Sequence, residues 1–214
     1  MLTFDDIIDS FARVCPKKTV VSDDIRSLSY SNLQYNGSNL ATFFKKYKII
    51  KGDRVALLSF NRIEFAEILY ATSKLGVIIM PINFRLSKEE IASIVKDANP
   101  KFFLYEKAFF KIINYLVKNN FLDKNMTLCI NTKNYFKLLK KTKNTYPLNL
   151  KNSKKNDNWS LMYTSGTTGN PKGVIRNHEG YYHLSSITSI ELKIRKEDKA
   201  LLVMPLCHAN SFNF

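Results

Sequence analysis

The sequence predicts an α/β fold, a mostly parallel sheet with helices on both faces. Three observations carry that expectation. From Arg54 to Ile130, runs that read as strands alternate with runs that read as helices, and repeated strand–helix–strand units give right-handed crossovers between parallel strands. The runs Val55-Ala-Leu-Leu58 and Val77-Ile-Ile-Met80 are apolar throughout, as strands covered on both faces are. A segment rich in glycine and threonine, Tyr163 to Gly173, directly follows the apolar Leu161 and Met162. It therefore falls at a strand end, where open α/β sheets bind their ligands.

The elements follow in order. Thr3 to Cys15 reads as a helix: Thr3 and Asp6 form a capping pair, Ile7, Ile8, Phe11, Ala12 and Val14 are apolar, and Pro16 stops it. Thr19 to Ser22 and Leu28 to Tyr30 flank the Asp23-Asp24 turn as a short hairpin. Ser31 is expected to cap a helix that buries Leu33, Leu40, Ala41, Phe43 and Phe44. Then come a strand from Arg54 to Ser59, a helix from Arg62 to Leu75 closed by Gly76, and a strand from Val77 to Ile82. A helix from Ser87 to Ala98 opens on a Ser87–Glu90 capping box. A strand from Lys101 to Tyr105, a helix from Lys107 to Lys118 and a strand from Met126 to Ile130 complete the alternation. Residues 131–157 read as a long polar connection, and Trp159 to Tyr163 re-enters the core. Gly173 to Arg176 returns as a strand, Asn177 caps a helix to about Leu192, and Lys199 to Met204 is expected to be a last strand. No internal repeat is present.

The segment Tyr163-Thr-Ser-Gly-Thr-Thr-Gly-Asn-Pro-Lys-Gly173 has the composition of a phosphate cradle. Glycines let backbone N–H groups approach an anion and permit positive φ. Thr164, Ser165, Thr167 and Thr168 add hydroxyl donors, and Lys172 adds a cation on a flexible stem. A solvated Gly/Ser/Thr turn between two strands is the plain alternative. The lysine and proline set tightly against the glycines weigh against it. The pattern is not the common P-loop, which needs Gly, four residues, then Gly-Lys-Ser/Thr opening a helix.

Thr164-Ser-Gly-Thr-Thr-Gly-Asn-Pro-Lys-Gly173 resembles the signature of the adenylate-forming enzymes: acyl-CoA synthetases, peptide-synthetase adenylation domains and firefly luciferases. Gly52-Asp-Arg-Val-Ala-Leu-Leu58 with Asn61 and Glu64 is similar to the family's first core strand and helix. Gly76 to Asn83, with Arg85, Leu86 and Glu90, is similar to the next segment of acyl-CoA synthetases. Met204-Pro-Leu-Cys-His208 resembles the family's Pro-Leu-Phe-His turn, although Ser211 stands where many members have glycine. The resemblance runs from about the first helix to the last residue. It implies that residues 1–214 are the N-terminal portion of the large domain of such an enzyme, the C-terminal domain lying elsewhere. It also implies activation of a carboxylic acid, fatty or otherwise aliphatic, by ATP with Mg²⁺, and transfer of the acyl group to coenzyme A. Thr164, Ser165, Gly166, Thr167, Thr168, Gly169 and Lys172 would hold the β- and γ-phosphates, and Lys172 and His208 would act on the reacting groups. No residue is assigned to a metal. His178 is expected to cap or pack at its helix start; Arg85 and Glu64 could be functional, with surface or inter-element pairing as the default reading. Cys207 and His208 are neighbours on an extended chain and so point apart, which argues against a nucleophile pair.

The Tyr-Gly-x-Thr-Glu segment, ribose aspartate, hinge and catalytic lysine of that family do not occur in these residues. The expectation is a ligase when completed, by its own continuation or a complementary chain, and inactivity as the isolated 214 residues. A truncated non-catalytic fragment and a basic surface-binding module stand beside it. A net charge of +15 raises the last of these. Much of the excess lies between Lys133 and Lys155, spaced by Asn and Thr without stacking aromatics or a zinc pattern, so no nucleic-acid partner is expected. Weak peripheral contact with anionic lipid stays open. A 45% hydrophobic content indicates a folded chain. No apolar run approaches the roughly eighteen residues of a membrane span. The acidic residues near the N-terminus differ from a signal peptide, and Cys15, Cys129 and Cys207, widely spaced, fit a reduced cytoplasmic compartment.

Overall fold

The computed structural model describes residues 2–140, 150–164 and 171–208. Helix α1 spans Phe4–Val14, and strands β1 (Thr19–Ser22) and β2 (Ser27–Ser29) form a separate antiparallel hairpin before helix α2 (Tyr30–Lys46). The main sheet then builds by alternation: β3 (Arg54–Leu58), α3 (Ile63–Leu75), β4 (Ile78–Pro81), α4 (Lys88–Ala98), β5 (Phe102–Glu106), α5 (Phe110–Lys118) and β6 (Thr127–Ile130). Helix α6 (Lys133–Lys140), strands β7 (Asn158–Thr164) and β8 (Lys172–Asn177), and helix α7 (His178–Glu191) follow. The six strands stand in the order β6-β5-β3-β4-β7-β8, parallel throughout except for β8, which is antiparallel on β7.

Alternation along each central strand divides the core in two. Val55, Leu57, Ile79, Phe102 and Leu104 pack with residues of α2, α3, α6 and α7 on one face. Ala56, Leu58, Met80, Phe103 and Tyr105 pack with α4 and α5 on the other. The fold class read from the sequence is the one observed.

Local signals place most boundaries. The Ser87–Glu90 capping box opens α4, with Ser87 Oγ accepting from Glu90 N–H at 3.2 Å and Glu90 Oε2 from Ser87 N–H at 2.7 Å. Gly76 ends α3 at φ 67°, a left-handed cap that favours glycine. Three expectations are corrected. Helix α2 is capped by Ser29, not Ser31, because Tyr30 is already helical. The connection after β6 is not all loop: α6 buries Tyr135 completely and Leu139 almost so. The Tyr135 hydroxyl donates to Glu67 Oε2 at 2.8 Å, and Asn39 Nδ2 donates to Leu139 O at 2.6 Å. The segment 199–204 is not a strand; no strand of the described residues pairs with it, and the Asn61 side chain bonds its backbone instead.

Candidate active site

The parallel strands deliver their C-terminal ends to one edge of the sheet, where Thr164 and Lys172 stand on the β7–β8 hairpin and Asn61, after β3, holds the backbone of Met204 and Leu206. β7 and β8 form a hairpin whose register sets Tyr163 against Gly173 and Thr164 against Lys172. Tyr163 is tied to α4 by a short hydrogen bond from its hydroxyl to Asp97 Oδ2. Burial and that carboxylate both raise the phenol pKa, so it stays a protonated donor. At Gly173 a Cβ would lie 2.8 Å from Leu161 Cδ1, so a larger residue would require that side chain to shift. Thr164 and Lys172 thus stand opposite each other and exposed, as the two stems of the Gly/Thr loop. Ser165, Gly166, Thr167, Thr168 and Gly169 lie outside the described residues.

The second motif closes as a turn, with His208 N–H donating to Pro205 O at 3.0 Å. Asn61, in the loop after β3, holds its entry: Oδ1 accepts from Leu206 N–H at 2.8 Å, and Nδ2 donates to Met204 O at 2.9 Å. Cys207 is buried, and burial raises its thiol pKa, so it is not the thiolate a nucleophile requires. The loops after β3 and β4 join through Phe60 and Phe84, whose rings lie edge-on, 4.9 Å from centroid to centroid. Lys172 and His208 are held separately; no hydrogen bond or ion pair links them among the described residues. Glu64 is buried and paired with Arg26 (3.5 Å) and Arg62 (3.3 Å), the inter-element role expected of it. Arg85 stacks its guanidinium over Phe84 at 5.9 Å.

His178 packs, as expected, at the start of α7, where Asn177 supplies the cap. Its ring stacks on Trp159 at 4.7 Å, and burial lowers its pKa to about 4, so it is neutral near pH 7. Both rings line an apolar cavity of about 450 Å³ that also touches Phe4, Leu69, Tyr181 and Leu206. Sequence reasoning missed this cavity, because its wall combines α1, α3, α7 and the turn before His208. It also gave Asn61 no role beyond a motif match. Among the described residues, no three His, Cys, Asp or Glu side chains converge as they would around a metal ion.

A family model described as "AMP-binding enzyme" matches residues 8–214. The long-chain-fatty-acid–CoA ligase FadD13 of Mycobacterium tuberculosis is 32% identical over 187 residues, which are 87% of this chain and 37% of that ligase. The inhibitor-bound N-terminal domain of FACL13 from Mycobacterium tuberculosis matches with a TM-score of 0.84 at 26% identity, over 100% of this chain and 54% of that one. The o-succinylbenzoate-CoA synthetase MenE of Bacillus subtilis, solved with the acyl-adenylate OSB-AMP, matches with a TM-score of 0.78 over 99% of this chain and 52% of that one. At 23% identity that likeness is one of fold. The chain spans little more than a third of the curated ligase's length.

Proposed function

This chain belongs to the AMP-binding enzyme family, and on that premise we propose that it forms the N-terminal, phosphate-holding portion of an acyl-CoA ligase. The proposed reaction has two steps. A carboxylate oxygen attacks the α-phosphorus of ATP, the bond to pyrophosphate breaks, and an acyl-adenylate forms. The sulfur of coenzyme A then attacks the acyl carbon, and AMP leaves. A carboxylate alone is a poor electrophile because its charge is delocalised; AMP supplies the leaving group. The protein's share is placement and charge stabilisation.

One observation carries this reading: the β7–β8 register sets Thr164 against Lys172 at the C-terminal sheet edge, as stems of the Gly/Thr loop. In the proposed roles, residues Thr164 to Gly169 donate to the β- and γ-phosphates, and Lys172 neutralises charge there. His208 hydrogen-bonds the substrate carboxylate or the α-phosphate. Mg²⁺, when bound, adds neutralising charge at the phosphates. The apolar cavity reaching Leu206 supports an acid with an aliphatic body.

The surface-binding alternative receives less support, because several lysines of the basic stretch and its surroundings are engaged. Lys151 pairs with Asp6, Lys155 with Glu179 at 3.2 Å and Lys51 with Asp157 at 2.6 Å. The test is ATP–pyrophosphate exchange by the native polypeptide purified from its own cells, assayed against a panel of carboxylic acids. Exchange that depends on an aliphatic acid is the expected outcome. Exchange that no acid stimulates, from a protein that still melts cooperatively, contradicts the proposal.

A further inference from the structure

We propose that Asn61 is the positioning residue for the turn that carries His208, with Glu106 as the base on which it stands. This rests on the reading above, in which His208 meets the reacting groups. Residues 202–208 have no strand partner among the described residues, so apart from the turn bond from His208 N–H to Pro205 O their backbone groups depend on side chains or solvent. One carboxamide supplies three bonds there. Asn61 Nδ2 donates to Met204 O (2.9 Å) and Leu202 O (3.4 Å), and Oδ1 accepts from Leu206 N–H (2.8 Å). The need is for two donors and one acceptor on a short stem, and among side chains of that length only asparagine has them. The orientation of the amide is fixed by its partners, since carbonyls only accept and the Leu206 N–H only donates.

The loop that presents Asn61 is itself fastened on both sides of that residue. Glu106, the last residue of β5, is buried; its Oε2 accepts from Phe60 N–H at 3.2 Å and its Oε1 from the Arg62 guanidinium at 3.2 Å, while the Ser59 hydroxyl lies 3.3 Å from Oε2 and 2.9 Å from Phe60 O, its shorter partner. The carboxylate therefore grips the residues before and after Asn61, and charge-assisted bonds of this kind are stronger than neutral ones. The chain of contacts runs from β5 through residues 59–62 to the Met204-Pro-Leu-Cys-His208 turn. It places His208 relative to the strand ends through the backbone of Leu202, Met204 and Leu206.

Amide hydrogen exchange and kinetics on Asn61→Ala, Asn61→Asp and His208→Ala in the intact native protein separate the possibilities. Asn61→Ala is expected to speed exchange of the Leu206 amide by about tenfold, the loss of one net hydrogen bond, while the amides of β3 and β5 stay protected. Asn61→Asp keeps the acceptor and so keeps Leu206 protected, but lacks the donors for Leu202 and Met204. In pyrophosphate exchange, Asn61→Ala is expected to lower kcat by at least tenfold with KM for ATP unchanged, as His208→Ala does. An unaltered Leu206 amide in Asn61→Ala overturns the proposal. So does a full kcat in Asn61→Ala when His208→Ala is impaired. Full activity in His208→Ala instead overturns the role given to His208 under the proposed function, whatever the Leu206 amide does.

Discussion

The central sheet and the flank beyond it treat the same kind of residue in opposite ways. Along β3, β4 and β5 the apolar side chains are almost wholly buried, Phe102, Phe103 and Leu104 at 0% exposure. Along β8, the outer face of α7 and the segment leading to His208, many are exposed within residues 1–214: Ile190 is 73% exposed, Leu201 85% and Val203 76%, while Tyr181 on the inner face of α7 is buried. Burial of apolar area is the main source of folding free energy, so stability resides in the first region. The second carries Lys172 and His208. Its order rests on a hairpin, a helix cap, the Asn61 carboxamide and the packing of His178 and Tyr181 on Trp159, fewer buried contacts than the central strands have. The difference teaches that the scaffold and the chemistry of this chain are separable: one can be damaged with little harm to the other.

Breaking the scaffold is expected to have the largest effect on stability. Phe103→Ala empties a site between β5 and the α4–α5 layer and is expected to cost about 3–5 kcal/mol in urea unfolding; a loss under about 1 kcal/mol would erase the contrast. The next effect is one of pH, at the seam where α7 meets β7. His178 has a pKa of about 4 in the folded chain, lowered by burial and opposed by Asp5 and Asp157, with Lys151 and Asp6 also facing it. An unfolded histidine titrates near about 6.5, so between the two values the unfolded chain binds more protons and stability rises with pH. Stability present above about pH 6.5 should fall as the pH drops toward 4, by about 2–3 kcal/mol. His178→Phe keeps the stack on Trp159 and should flatten that window relative to the parent; parallel curves would show that His178 is not the source.

Tyr135→Phe should cost less, about 1–2 kcal/mol, because buried Glu67 loses one donor but keeps Arg26 at 3.2 Å and Asn36 at 2.8 Å. No change on calorimetric melting would mean that this bond is replaced by water. Ile190→Ala, on the outer face of α7, is expected to shift stability by less than about 0.5 kcal/mol. A core-sized loss there would show that the flank is packed against something in solution.

Much of the scaffold was legible in the sequence because its signals are local. Val55 to Leu58 and Val77 to Met80 announce strands buried on both faces, and Ser87 with Glu90 and then Gly76 mark helix ends within a few residues. Helix α6 was not legible. Its lysines mask the only two fully inward positions, Tyr135 and Leu139, and Tyr135 finds its partner Glu67 across 68 residues of sequence. Lys199 to Met204 has a strand's composition, but a strand exists only with a ladder partner. At the site, the motifs located Thr164, Lys172 and His208 at the sheet edge. The clamp by Asn61 was hidden, because a lone asparagine after a strand gives no sign of the backbone it will bind more than 140 residues away.

The most direct measurement on the separation of scaffold from chemistry is Lys172→Ala in the native polypeptide, read in two ways at once. Its unfolding midpoint should match the parent to within about 0.5 kcal/mol, since the side chain is exposed at the mouth of the hairpin. Its acid-dependent ATP–pyrophosphate exchange should fall by about a hundredfold or more, the scale of losing one charge-stabilising group. Exchange at the parental rate, or a loss of activity that merely tracks unfolding, would contradict the account.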